Sequence, residues 1–291
     1  MPDTGQLTSC RTVPQSLREY ARGVTGGLLF SLPLLYTMEV WWAGFIAQSW
    51  HLFVYVLVTF VVLLGYNRYA GLRQDASMAE VAIDSVEEMG IGLMLAALVL
   101  WLLGRIDFDM GVSEVVGKIV IEAMTIAIGV SVGTAQLGSE GEDQEDAGMD
   151  DNEQQSTGFG AQIVMAFCGA ILIGGNVGPT EEIIVIGAEA SSLRLLGIAL
   201  LSITLGALTL FFSSFAGSKK SVRQESVLDI LAGIVMTYTV ALVASALILL
   251  FFGRFEGATT AVALGYIVVL GFPASLGASA GRLLLQGGNS S

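Results

Sequence analysis

From Val40 to Asn67 the chain carries no Asp, Glu, Lys or Arg. One crossing of a bilayer takes about 20 mostly apolar residues, so this run is too long for a single span and must turn once, near Gln48. The same reading along the chain predicts eight spans, at residues 23–46, 50–68, 82–104, 113–136, 160–189, 193–214, 228–252 and 258–281. Composition agrees. Charged residues make up 13% of the chain, against about 25% in soluble domains. The 36 glycines also suit membrane helices, which tolerate more Gly than soluble ones. The predicted class is an all-α membrane protein with the lipid bilayer as its surroundings. A soluble enzyme, a secreted disulfide scaffold and a disordered chain are excluded. The first run begins only after Arg22 and shows no small-residue cleavage site, so it reads as a retained helix rather than a signal peptide.

The net charge of −13 is concentrated in one place. Eight acids fall between Glu140 and Glu153, a stretch without Lys or Arg; outside it, 18 acids face 13 bases. A nucleic-acid partner is therefore not expected. The stretch reads as a solvated cytoplasmic linker, residues 138–158, without the spacing of a calcium-binding loop. It divides an N-terminal four-helix half, 1–137, from a C-terminal four-helix half, 159–291. Cys10 lies in the tail and Cys168 in an apolar run, so no disulfide is expected, and His51 is the sole histidine. These counts leave no material for a zinc site or a His-based nucleophile. Neither an enzyme nor a bound cofactor is expected.

Basic residues orient the spans. With the N-terminus inside, cytoplasmic segments hold Arg11, Arg18, Arg22, Arg68, Arg73, Lys219, Lys220, Arg223 and Arg282, nine in all, against Arg105, Arg194 and Arg254 outside. The expectation is a multi-pass plasma-membrane protein with both termini cytoplasmic. Trp41, Trp42 and Trp50 then gather at the outer interface.

The central linker prompts a search for a repeat. Gly117–Gly133 aligns without gaps on Gly265–Gly281, with six of 17 positions identical. Gly104-Arg105 falls on Gly253-Arg254, Thr37-Met38-Glu39 on Thr180-Glu181-Glu182, and Gly44 on Gly187, at offsets of 143 to 149. Four spans per half is even, so the predicted repeats are parallel, about an axis along the membrane normal. Both fourth helices end in a G-x-x-x-G pair, Gly129/Gly133 and Gly277/Gly281. Such pairs permit close helix packing, and the two stripes could face each other across the axis.

Intramembrane acids are costly and mark function by default. The fifth span contains Gly174-Gly175-Asn176-Val177-Gly178-Pro179-Thr180-Glu181-Glu182, which predicts a helix broken near mid-membrane, its freed carbonyls beside Asn176, Glu181 and Glu182. Oxygen ligands of this kind suit Ca²⁺ or Na⁺. Glu39 follows Pro33 in the first span and is either a ligand or an acid reaching the outer surface. Glu80, Asp84, Glu87 and Glu88 fall on one face at the cytoplasmic end of the third span. Glu87 and Glu88 lie deeper, where a cation or a shared proton would relieve their repulsion. Glu122, at mid-span in the fourth helix, is either functional or paired with Lys118 one turn earlier. The acids could form one composite site between the halves.

Gly175-Asn176-x-x-Pro179-x-Glu181-Glu182 resembles the G-N/T-x-x-P-E signature of the calcium/cation exchanger superfamily. The resemblance covers about eight residues in one half. It implies a broken helix whose acid binds the transported cation. Those exchangers use inverted repeats with an odd number of spans, and the spans here are even. As a whole, in span count, acidic internal linker and Thr180–Ile183 segment, the chain resembles a family of bacterial and haloarchaeal integral membrane proteins to which no function is attached.

The function expected is secondary cation transport, in the form of a cation/proton antiporter. Glu181, Glu182 and Asn176 would be ligands, and Glu39, Glu87, Glu88 and Glu122 ligands or proton carriers. Inorganic cation and proton are the expected partners. The alternatives are a cation channel, with its pore formed by a homodimer, and a membrane scaffold or sensor whose acids are paired structurally.

Overall fold

The computed structural model of the chain describes residues 13–71, 76–107, 109–136, 159–217 and 227–287. Among these, every regular element is an α-helix. In chain order they are α1 (Val13–Leu35), α2 (Met38–Ile46), α3 (Ser49–Ala70), α4 (Met78–Leu102), α5 (Val112–Gln136), α6 (Phe159–Val177), α7 (Glu181–Glu189), α8 (Ser192–Gly217), α9 (Val227–Phe251) and α10 (Thr260–Gly287). The acidic linker expected at 138–158 and Cys10 lie outside the described residues. Among the described residues, seven helices are long and apolar enough to cross a membrane: α3, α4, α5, α6, α8, α9 and α10. The pair α1 and α2, bent by 86°, supplies an eighth crossing if taken as one span.

That bend has a local cause. Pro33, near the end of α1, has no N–H to continue the ladder. Nearby hydroxyls turn back onto the backbone instead: Ser31 Oγ donates to the Gly27 carbonyl at 2.7 Å, and Thr37 Oγ1 to the Pro33 carbonyl at 2.5 Å. Thr37 is extended (φ −99°, ψ 115°) and starts α2 in a new direction.

The second break follows the same logic one half later. The Gly178 N–H still reaches the Gly174 carbonyl at 2.7 Å, so Gly174 and Gly175 remain helical. The chain departs only at Pro179, and Thr180 (φ −73°, ψ 151°) begins α7. The 19 residues of α6, at a rise of about 1.5 Å each, span about 28 Å, a full hydrocarbon thickness. The break therefore lies at the end of a complete crossing, not near its middle as the sequence suggested.

α4 and α9 also end alike. Gly104 (φ 64°) and Gly253 (φ 66°) occupy the left-handed region that glycine enters without a Cβ penalty. Arg105 N donates to the Leu100 carbonyl at 2.8 Å and Arg254 N to the Leu249 carbonyl at 2.9 Å. Gly104 N and Gly253 N close the inner bonds, to Trp101 and Leu250. This is the Schellman arrangement, which satisfies the orphan carbonyls of a helix end.

Two helices organise the packing. α5 touches α1, α2, α3 and α4; α10 touches α6, α7, α8 and α9. Glycines set the closest approaches. Gly129 and Gly133 lie against Gly26 and Gly27 of α1, while Gly277 and Gly281 lie against Gly169 of α6. The two stripes thus pack onto the first helix of their own half rather than onto each other. A Cβ on Gly117 would overlap the Gly44 carbonyl, and one on Gly265 the Gly187 carbonyl. The halves join where Met165, Cys168 and Leu172 of α6 meet Val62, Leu63 and Tyr66 of α3 and Ala127, Ile128 and Val132 of α5. Tyr55 stacks on Phe251 at 4.3 Å between centroids.

These contacts bring the starts of α1, α4, α6 and α9 to one end of the bundle, with the finishes of α3, α5 and α10. This is the near end; α2, α7 and the Schellman turns form the far end. Arg282 was expected in a loop. It lies instead within α10, buried, with its guanidinium turned into the near end of the second half.

Candidate cation site

The near end of the first half encloses a cavity of about 220 Å³ between α1, α3, α4 and α5. Its described lining includes Glu19, Asp84, Glu87 and Glu88 but no Lys or Arg. The start of α4 is fixed by a capping box. Ser77 N donates to Glu80 Oε2 at 2.8 Å, and Glu80 N to Ser77 Oγ at 3.4 Å. Glu80 is thereby engaged in capping the start of the helix. One and two turns further on, the same face delivers Asp84, Glu87 and Glu88 to the cavity.

Asn67, near the end of α3, is the hub. It is buried, and its amide nitrogen donates to Glu88 Oε2 at 2.8 Å and to Ser85 Oγ at 3.1 Å. Its carbonyl oxygen accepts from Ser131 Oγ of α5 at 2.6 Å. Three helices are tied through one side chain, and the Glu88 carboxylate is held in a set orientation. From α1, Tyr20 Oη donates to Glu87 Oε1. The result is an acidic chamber with hydroxyl and amide donors on its wall. Among the described residues, no three His, Cys, Asp or Glu side chains come close enough to share a metal ion. The chamber suits a cation that several separated acceptors contact at once.

Glu122 sits deeper on α5, nine residues before Ser131 and so about 14 Å along the helix. It is completely buried, and neither carboxylate oxygen has a hydrogen-bond partner. Lys118 does not reach it. The Lys118 ammonium pairs with Glu114 at 2.5 Å, one turn in the opposite direction, and donates to the Arg105 carbonyl at 3.2 Å. A lysine near a helix end extends toward the polar surface rather than into the apolar interior. The ion pair considered for Glu122 is therefore absent.

The matched family span, residues 19–285, takes in every residue just described. The chain belongs to the DUF2391 family of integral membrane proteins. That description names no activity, ligand or partner. No curated protein and no solved structure matches the chain.

The remaining candidates of this DUF2391 chain lie at the far end. Glu181 and Glu182 occupy the first turn of α7 and are exposed. Asn176 is buried; its amide nitrogen donates to the Leu172 carbonyl at 2.6 Å, and its carbonyl oxygen has no partner. At the break itself the Pro179 carbonyl accepts from Arg254, so a protein cation already serves one of the freed oxygens. Glu39 is half-buried in the first turn of α2. The seven expected site residues thus fall at three depths. Glu87 and Glu88 are at the near end, Glu122 is in the middle, and Glu39, Asn176, Glu181 and Glu182 are at the far end. They do not form one composite site between the halves.

Sequence reasoning misses Glu19, Tyr20, Asn67 and Ser131. Glu19 and Tyr20 precede the first apolar run and read as tail. Asn67 closes the charge-free run from Val40, and a polar residue at that depth was the one available signal.

Proposed function

We propose that this chain is a secondary cation transporter, a cation/proton antiporter whose cation seat is the acidic cavity of the first half. The observation that carries this reading is the Asn67 network, which holds Glu88 beside Glu87 and Asp84 in a chamber without a described Lys or Arg. Like charges gathered at a membrane's edge repel, and a cation drawn from solution relieves them. Glu122 is the proton-carrying carboxylate. An ionised acid without a partner at that burial is costly, and a proton or a passing cation removes the cost. Glu39, Glu181 and Glu182 supply negative charge at the opposite mouth.

The reading includes a parallel repeat. Its support is the correspondence of parts. α2 and α7 both have nine residues and α4 and α9 both have 25. The helix starts Met38/Glu181 and Ser49/Ser192 are 143 apart, Val112/Thr260 148 and Met78/Val227 149. The glycine contacts Gly26–Gly133 and Gly44–Gly117 recur, at the same offsets, as Gly169–Gly281 and Gly187–Gly265. The orientation proposed is near end cytoplasmic, in the plasma membrane. Moving Arg282 out of the loops leaves eight basic residues against three, still in that sense.

The test is transport by purified protein in liposomes carrying a pH-sensitive dye. A proton gradient is imposed and single cations are added with the voltage clamped at zero. Wild type should collapse the gradient, Glu88→Gln and Glu122→Gln should not, and Glu182→Gln should retain most of the activity. Wild-type rates in both Glu88→Gln and Glu122→Gln would overturn the assignment, and single-channel currents would point to a pore instead.

A further inference from the structure

Glu122 is fully buried with no donor on either carboxylate oxygen, and a pair of hydroxyls lies one turn along its helix. Tyr55 of α3 meets Thr125 Oγ1 with its own hydroxyl at 3.4 Å. Thr125 is three residues beyond Glu122 on the same face of α5, a rise of about 4.5 Å. The Glu122 carboxyl is close enough to act electrostatically on the Tyr55 phenol. Lys118, one turn the other way, is turned to Glu114. The acids of the neighbouring helices lie toward the two ends of the bundle: Glu39 of α2 at the far end, and Glu19 of α1 with Asp84, Glu87 and Glu88 of α4 at the near end.

The contact between the two hydroxyls is loose. At 3.4 Å it exceeds the usual O–H···O range of about 2.5–3.0 Å. Thr125 also has another partner at hand. Elsewhere in the protein Thr237 and Ser245 donate one turn back, to the Gly233 and Ala241 carbonyls at 2.7 and 2.8 Å, and Ile121 offers Thr125 a carbonyl at that spacing. An ionised carboxylate is a stronger acceptor than a hydroxyl. The Tyr55 ring is stacked on Phe251 at 4.3 Å, so the ring is held while its hydroxyl changes acceptor. The second half supports the grouping. At the offsets already given, Glu122 falls on Leu270, Tyr55 on Ile198 and Thr125 on Pro273. Leu270 is fully buried, and Ile198 packs into the same apolar cluster. The acid, the phenol and the threonine are thus replaced together by apolar residues.

We infer that Tyr55 is the positioning residue of the proton carrier: its hydroxyl leaves Thr125 and donates to the Glu122 carboxylate whenever that carboxylate is ionised. This rests on the reading of Glu122 as the proton-carrying group and names the donor it turns to. The phenol keeps its proton throughout, and only the acceptor changes. One charge-assisted hydrogen bond then replaces a weak neutral one, which offsets part of the cost of an ionised acid at that burial. Protonation of Glu122 returns the hydroxyl to Thr125.

The experiment pairs the liposome transport assay with infrared difference spectra of the full chain, taken between acid and alkaline samples. The Glu122 carboxylate band is the one missing from Glu122→Gln, and it reads the hydrogen bond without transport. Tyr55→Phe keeps the ring and its stack on Phe251 and lacks only the O–H. It should slow transport about tenfold or more, the worth of one charge-assisted bond, and move the Glu122 band to that of an unbonded carboxylate. KM for the cation should stay at the wild-type value, because the seat at the near end is untouched. Thr125→Val removes only the resting partner and should keep both rate and band. A wild-type rate and an unshifted band in Tyr55→Phe would overturn this inference while leaving Glu122 as the carrier. A slow Tyr55→Phe with an unshifted band would overturn it as well, since the hydroxyl would then act elsewhere. Wild-type transport in Glu122→Gln would overturn the carrier assignment and this inference with it.

Discussion

Truncating Arg282 to alanine tests how firmly its guanidinium ties α10 to α6 and α9. The side chain is 8% exposed and donates to three acceptors on two other helices. A hydrogen bond from a charged donor contributes about 1.5–3 kcal/mol. The three are not additive, because the Gly233 carbonyl and Thr237 Oγ1 share one nitrogen. Removal also leaves Thr237 and Gln162 to find other partners at an apolar helix junction. The expected loss is about 2–4 kcal/mol, more than one bond from a charged donor and less than the sum of three. Arg282→Lys keeps the charge but not the planar fork, so it should recover less than half of that loss. The assay is equilibrium unfolding of the purified protein in mixed micelles, followed by tryptophan fluorescence. A loss below about 1 kcal/mol would refute the reasoning, since three such bonds cannot together contribute so little.

Asn67→Ala removes the bonds to Ser85, Glu88 and Ser131. In the same unfolding assay it should cost about 2–4 kcal/mol and lower cation affinity with it. Glu122→Leu replaces an unpartnered buried acid by an apolar side chain. It should leave stability unchanged or raise it by about 1–3 kcal/mol while ending proton-coupled transport in liposomes. Gly117→Ala and Gly265→Ala each push a methyl into a facing glycine carbonyl. Both should destabilise by about 1–3 kcal/mol, seen as matching falls in unfolding midpoint.

Much of the fold was legible because local chemistry decides it. Hydropathy alone marks the helices that cross. Pro179 cannot continue a helix wherever it is placed, and Gly104-Arg105 and Gly253-Arg254 mark their own left-handed turns. What local rules could not supply was depth and partner. The depth of the α6 break depends on where the helix starts, and two helical glycines moved it to the far end. Gly129 and Gly133 announced a close contact without naming Gly26 and Gly27 as its other side. Lys118 lies one turn from both Glu114 and Glu122, and only the surface of the bundle decides between them. The cavity was least legible of all. Its walls come from residues 19 to 135 on four helices, and Glu19 and Tyr20 precede the apolar run that marks the first span.

The asymmetry of the two near ends can be argued from cost. The Arg282 guanidinium of the second half is held by acceptors on α6 and α9. The carboxylates gathered at the near end of the first half are different. They repel one another, and they are tolerable only near water or beside a mobile positive charge. Placing them at the near end rather than at mid-membrane meets the first condition, and the Asn67 and Tyr20 donors hold two of them without neutralising either. Glu122 meets neither condition. It lies about 14 Å inward with no donor on either oxygen, so an ionised Glu122 is costly there. On the proposed function, the half with the acidic chamber and the orphan carboxylate is the one that answers a cation.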